Sequence, residues 1–96
     1  MGGLTNMKQK YQTNDLFFSK KHNKIFRIDR ARFIPGYKNN ITKADEYLYN
    51  CEYIDQRNDT QHVNYYESRI DSEAIMLDDK NQCTQILKVL FGSDEA

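Results

Sequence analysis

Residues 46–54 most restrict what this chain can fold into. Every second position there carries Tyr47, Tyr49, Cys51 or Tyr53, and the intervening positions are acidic, amide or aliphatic. Side chains of a β-strand point alternately to the two faces of the sheet, and aromatic residues favour strands. The alternation therefore predicts a strand with one tyrosine-rich face.

Shorter patterns predict further strands on both sides of this one. Residues 16–20 and 25–34 indicate a hairpin that ends at Pro35-Gly36, because proline lacks a backbone donor and glycine tolerates a tight turn. Turn formers fill residues 55–60, and residues 62–69 resume a strand that pairs back. Residues 68–77 fit either a short strand or a helical turn. Consecutive strands of this kind favour an antiparallel sheet.

The C-terminal segment predicts a helix at about residues 79–91. Apolar residues recur there at helical spacing, and Asp78 or Asp79 can cap the start while Gly92 can cap the end. The apolar stripe consists of Cys83, Ile86, Leu87, Leu90 and Phe91. The predicted fold class is α+β, with a four- or five-stranded antiparallel sheet or small open β-barrel and a C-terminal amphipathic helix packed on it.

A chain of 96 residues allows one domain, which we place at residues 14–92. Residues 1–13 are expected to be a flexible N-terminal segment and residues 93–96 an acidic tail, while Met7 is an alternative start to Met1. No apolar run approaches the ~20 residues that cross a bilayer, and no hydrophobic signal region opens the chain. We therefore expect a cytoplasmic protein without membrane contact.

Charge divides the chain into two halves although the net charge is zero. Residues 1–43 carry ten basic and two acidic side chains, and residues 44–96 carry four basic and twelve acidic ones. If strands from the two halves pair, the charges alternate across one sheet face. If the halves separate in space, the protein has a basic side and an acidic side.

The basic residues of segment 20–32 stand among aromatic residues, a composition that can hold single-stranded nucleic acid. By strict alternation Arg30 and Arg32 share a face with Phe26 and Ile28. That change of character along one face indicates a β-bulge, a sheet edge or a surface for acidic partners. The tyrosines form the other candidate surface, because tyrosine is enriched where proteins bind one another. The predicted partner-binding residues are Lys20, Lys21, Lys24, Arg27, Arg30, Arg32, Tyr47, Tyr49, Tyr65 and Tyr66.

Motifs of catalysis and cofactor binding are missing from the sequence. No glycine-rich phosphate loop, zinc-type cysteine or histidine pair, or nucleophile elbow occurs. A Cys51–His62 couple could in principle form an activated nucleophile, and Cys83 is the second cysteine. We expect no enzymatic activity, no catalytic residues, no metal and no cofactor, with both thiols free.

The opening from Tyr11 to Phe33 resembles the start of small SH3-like barrels of the Tudor or KOW kind: a short strand entered by Asn14-Asp15, a polar turn and a longer basic strand. In size and composition the chain also resembles the short accessory proteins of phages and plasmids, many of which bind and inhibit a host protein. Lysine, asparagine, isoleucine and tyrosine, whose codons are AT-rich, make up 33 of its 96 residues, as in a low-GC bacterium or its mobile elements. The expected function is non-enzymatic binding and modulation of a host protein, with nucleic-acid binding through residues 20–32 as the alternative and the oligomeric state open.

Overall fold

The computed structural model describes residues 8–92, so the predictions for residues 1–7 and for the acidic tail lie outside it. Within these residues, five strands and two α-helices follow one another. They are β1 (Leu16–Ser19), β2 (Lys24–Ile34), β3 (Glu46–Ile54), β4 (Thr60–Tyr66), α1 (Glu67–Glu73), β5 (Ala74–Met76) and α2 (Lys80–Phe91). The segment left open at residues 68–77 is thus a helix followed by a short strand.

The strands form one antiparallel sheet in the order β4-β3-β2-β1-β5. The β1–β2 and β3–β4 hairpins are those that the turn signals predicted. Strand β2 also pairs with β3, and β5 returns to pair with β1. Among the described residues the sheet has two free edges, β4 and β5, and does not close. The predicted α+β class is confirmed, in its open-sheet form.

A β-bulge at Asp29 divides β2 into two parts. Ile28 lies opposite Cys51 and Arg30 lies opposite Asn50, so Asp29 has no partner residue of its own on β3. The extra residue reverses the alternation, because side chains after it point to the other face. Arg30 therefore lies on the face opposite Ile28, and the bulge suggested by the sequence is present.

The two faces of the sheet differ in their cover. We call the face that carries Phe17, Phe26, Ile28, Tyr49, Cys51 and Tyr65 the core face. Tyr11 and Ile70 of α1 pack onto it and complete the main hydrophobic cluster. Tyr11 belongs to the segment predicted to be flexible, so the packed region reaches at least three residues beyond the predicted start at residue 14.

Helix α2 lies against part of the opposite face, which we call the outer face. The side chain of Asp79 accepts a hydrogen bond from the Gln82 amide at 3.1 Å, and Gly92 ends the helix in the left-handed conformation, as the sequence predicted. Leu87 is buried, and Phe91 lies with its ring centre 5.6 Å from the Arg27 guanidinium. The main cluster is covered by α1 and Tyr11, whereas α2 packs on the outer face through Leu87 and Phe91.

Neither helix of the described residues is long and apolar enough to span a bilayer.

Candidate functional site

The predicted basic segment does not form one continuous surface. Lys20 and Lys21 are exposed in the turn between β1 and β2. Lys24 is half-buried, with its ammonium 5.3 Å from the ring centre of Tyr53 on the core face. Arg30 and Arg32 lie further along β2 on the outer face. The cations that the sequence groups together are thus distributed over two faces and both ends of the strand.

The guanidinium of Arg27 is held by Glu52 and Asn14 inside the fold. Its Nε donates to Oε1 of Glu52 at 2.9 Å, Nη2 contacts the same oxygen, and Nη1 donates to Oδ1 of Asn14 at 2.7 Å. Only 19% of the Arg27 side chain and 12% of the Glu52 side chain are exposed. An arginine held this way has few donors left for a partner.

The ion pair between Arg27 and Glu52 joins the basic half of the sequence to the acidic half. Strand β2 belongs to the basic half and β3 to the acidic half, and they pair along most of their length. Outside the sheet, Lys10 Nζ lies 2.9 Å from Oδ1 of Asp71, again joining the two halves. The halves therefore mix in the fold at these positions, and positive charge is left only locally.

Arg30 and Arg32 supply the clearest local excess of positive charge. Across the sheet Arg30 lies in a row with Asn50 and Asn64, and Arg32 lies in the next row with Leu48 and Tyr66. Arg30, Ala31, Arg32, Leu48, Asn50 and Asn64 line a groove of about 250 Å³, which we call the arginine groove. The groove lies on the outer face, and its lining residues belong to β2, β3 and β4 rather than to α2.

The charges of the groove are nearly unopposed inside the molecule. The Arg30 side chain is 81% exposed, and its Nε lies 3.6 Å from the carboxylate of Asp29. Within residues 8–92 no carboxylate oxygen lies within 4 Å of Arg32. On the groove floor Asn50 Nδ2 donates to Asn64 Oδ1 at 3.1 Å, so the two amides hold each other in place. Guanidinium groups beside amides suit a carboxylate or phosphate ligand.

The predicted tyrosine surface is only partly a surface. Tyr49 is fully buried and Tyr65 is 6% exposed, and both belong to the main hydrophobic cluster. Tyr47 and Tyr66 are half-buried. Tyr49 and Tyr65 are therefore revised from partner contacts to core residues, because a side chain enclosed by its own fold cannot touch a partner.

Tyr49 instead joins the N-terminal segment to α1. Its hydroxyl accepts from the backbone amides of Lys10 at 3.1 Å and Tyr11 at 3.2 Å, and donates to Oε2 of Glu67 at 2.5 Å. The Tyr11 hydroxyl in turn donates to Asp71 of the same helix. Burial raises the pKa of Asp71, but the hydrogen bonds from Tyr11 and Lys10 outweigh it and leave that pKa below its usual range.

Replacing Tyr49 with phenylalanine is expected to lower the free energy of unfolding by about 2 kcal/mol, because the Tyr11 amide loses its acceptor inside the core. Urea denaturation followed by circular dichroism measures the change. Tyr37→Phe is the matched control, since Tyr37 is 82% exposed and its loss should change stability by less than about 0.5 kcal/mol. Equal stability of the two variants would remove the proposed role of the Tyr49 hydroxyl.

The Cys51–His62 couple that the sequence allows is not formed. Cys51 lies opposite Val63 on the core face, whereas His62 lies opposite Glu52 on the outer face. Burial raises the pKa of the Cys51 thiol to about 12, which keeps it protonated and unreactive at neutral pH. In the described part of the chain no group of three or more histidine, cysteine or acidic side chains could hold a metal ion.

Two parts of this region escaped the sequence reasoning. Leu48, Asn50 and Asn64 enter the arginine groove only because the register of β2, β3 and β4 brings them beside the arginines. The second is the edge position of β4. Its sequence signal was present as a run without lysine, arginine, aspartate or glutamate at residues 60–66, but a strand becomes an edge only through the order of the sheet.

The chain matches no protein family, no curated protein and no solved structure.

Proposed function

We propose that this is a non-enzymatic binding protein that occupies and modulates an acidic surface of a host protein through the arginine groove. The observation that carries the proposal is the contrast among the arginines of β2. Arg27 is held by Glu52 and Asn14, while Arg30 and Arg32 are turned by the bulge onto an open part of the outer face. Its composition fits an accessory protein of a low-GC bacterium or its mobile elements.

The groove suits a protein carboxylate in charge and in shape. The planar guanidinium forms paired hydrogen bonds with a carboxylate, and such charge-assisted bonds are among the stronger ones in proteins. Leu48 and Tyr66, both half-buried, adjoin the arginines and offer apolar area beside the charge. Arginine and tyrosine are enriched among the residues that dominate binding energy at protein interfaces.

Nucleic-acid binding is the alternative, and the exposed Lys20 and Lys21 favour it. Three features weaken it. Arg27 is neutralised by Glu52, and the cations lie on both faces rather than along one track. A binding groove for single strands combines a continuous basic path with exposed aromatic rings, and two of the four candidate tyrosines are buried.

Two charge reversals of equal size separate these functions. The tagged full chain is used to capture partners from a nuclease-treated extract of a low-GC bacterium. We expect a protein partner to be captured by the wild-type chain. The double variant Arg30→Glu with Arg32→Glu should lower the amount captured at least tenfold, whereas Lys20→Glu with Lys21→Glu should leave it unchanged. Both variants change the net charge equally, so only the position of the charges differs.

Binding to a labelled oligothymidine, followed by fluorescence anisotropy at two salt concentrations, tests the alternative. Tight, steeply salt-dependent binding that both charge reversals weaken would favour nucleic acid over a protein partner. Capture that is equal for wild type and the Arg30/Arg32 variant would exclude the arginine groove as the binding surface. Circular dichroism spectra of the variants establish that each reversal leaves the fold intact.

A further inference from the structure

Strand β4 is a long free edge of the sheet. In the part of the chain that the structure describes, its seven residues, Thr60–Tyr66, pair with β3 on one side only. Within residues 8–92, no hydrogen bond joins the backbone of β4 to any element on its outer side. A strand in this position presents a row of unpaired backbone donors and acceptors, which is a template for another strand.

The sequence of β4 lacks the devices that usually protect such an edge. Natural edge strands are often short, carry lysine or proline, or are interrupted by a bulge. The opposite edge, β5, is protected because it is short, with only three residues. Strand β4 has no proline, no lysine, arginine, aspartate or glutamate, and no break in its register with β3. It is the less protected of the two edges.

We propose that β4 pairs with β4 of a second copy of this chain, antiparallel and about a two-fold axis near Val63. In that register His62 lies opposite Asn64 of the second copy, Gln61 opposite Tyr65, and Val63 opposite its own equivalent. A two-fold contact brings each surface against itself, so a charged patch would repel its copy. Because β4 contains no lysine, arginine, aspartate or glutamate, the seven paired residues place no such like charges opposite each other.

Apolar side chains beside the edge add contact area to the backbone pairing. A groove of about 510 Å³ runs along β4, and Ile41, Leu48, Val63 and Tyr66 line it together with Lys21, His22 and Arg69. Ile41 is 69% exposed, and Val63 and Tyr66 are half-buried, so each has surface left to cover. An interface of one strand pair is small, and we expect reversible dimers with a micromolar dissociation constant.

The dimer would extend the sheet to ten strands and place both arginine grooves on one side. Residues directly opposite in an antiparallel pair point to the same face, so the two outer faces become continuous. Five strand spacings separate β2 from its copy, or roughly 24 Å. The dimer does not depend on the proposed function, but it would carry two copies of the arginine groove.

A pair of charge variants of the full chain tests the arrangement by sedimentation velocity over a concentration series. His62→Lys with Asn64→Lys places lysine opposite lysine twice across the two-fold axis, and the dissociation constant should rise at least tenfold. His62→Lys with Asn64→Glu places opposite charges there, and the constant should fall by a similar factor. Positions 62 and 64 are exposed, and the two variants share one of their substitutions.

Hydrogen exchange of the wild-type chain gives a measurement that needs no variant. Amide protection in β4 should rise with protein concentration, whereas protection in β5 should stay constant. A wild-type chain that remains monomeric at millimolar concentration overturns the inference. So does a dimer whose dissociation constant neither variant changes, because its contact would then lie elsewhere.

Discussion

Replacing Arg27 with methionine is expected to lower the free energy of unfolding by about 3 kcal/mol. The substitution leaves the Glu52 carboxylate, with 12% of its side chain exposed, without the guanidinium that balances it. It also removes the hydrogen bond to Asn14 and the contact with the ring of Phe91. A buried charge without its partner is among the costliest single changes that a fold can suffer. Chemical denaturation at neutral pH measures the loss.

A double variant distinguishes the effect of losing the ion pair from the effect of losing the Arg27 side chain. Replacing both Arg27 and Glu52 with methionine should recover most of the stability, because two apolar side chains can occupy the site without an unpaired charge. Arg30→Met is the matched control, since the Arg30 side chain is 81% exposed and its removal should cost less than about 0.5 kcal/mol. A double variant as unstable as the Arg27 variant would show that the charge is not the cause.

The position of Arg27 also shows where sequence reasoning reached its limit. The sequence identified β2 and its arginines, and the change of character between Ile28 and Arg30 left a β-bulge, a sheet edge or a surface for acidic partners open. It did not contain the register that places Arg27 opposite Glu52 and Arg30 opposite Asn50. The first pairing neutralises a cation and the second leaves one exposed, so the division of the arginines into structural and surface residues depends on long-range pairing.

The secondary structure was more accessible, because its signals are local. The alternation in β3 and the apolar spacing in α2 each depend on neighbours a few residues away, as do the caps at Asp79 and Gly92. Tyr49 is the instructive exception. The pattern placed it correctly on one face of β3, but burial of that face is decided by α1 and Tyr11, which pack there from distant parts of the chain.

Raising the pH above about 9 is expected to destabilise the protein steeply. Burial raises the pKa of Tyr11, Tyr49 and Cys51 in the folded state. Their ordinary values are 10.0 for tyrosine and 9.0 for cysteine, so the unfolded chain loses these protons first. Over that interval the folded state binds more protons, and the free energy of unfolding falls as pH rises. Each group contributes at most about 1.4 kcal/mol per pH unit.

Urea denaturation between about pH 8 and pH 11 measures this decline in the free energy of unfolding. Two variants show how much of the decline comes from Cys51 and how much from Tyr49. Cys51→Ala should flatten the decline that begins near the ordinary pKa of cysteine, because no other group of the three titrates there. Tyr49→Phe should reduce the slope only at higher pH. Tyr37→Phe, which alters an exposed ring, should leave the curve unchanged.

Cys83 is replaced by alanine in every chain compared, because burial and the nearby Asp79 raise its pKa as well. Tyr65 acts in the same direction as the other buried tyrosines and is left in place. A free energy of unfolding that stays constant over the whole interval would contradict the burial of these groups. A decline that Cys51→Ala and Tyr49→Phe divide as expected would place both side chains in the core, which excludes Tyr49 as a contact with a partner.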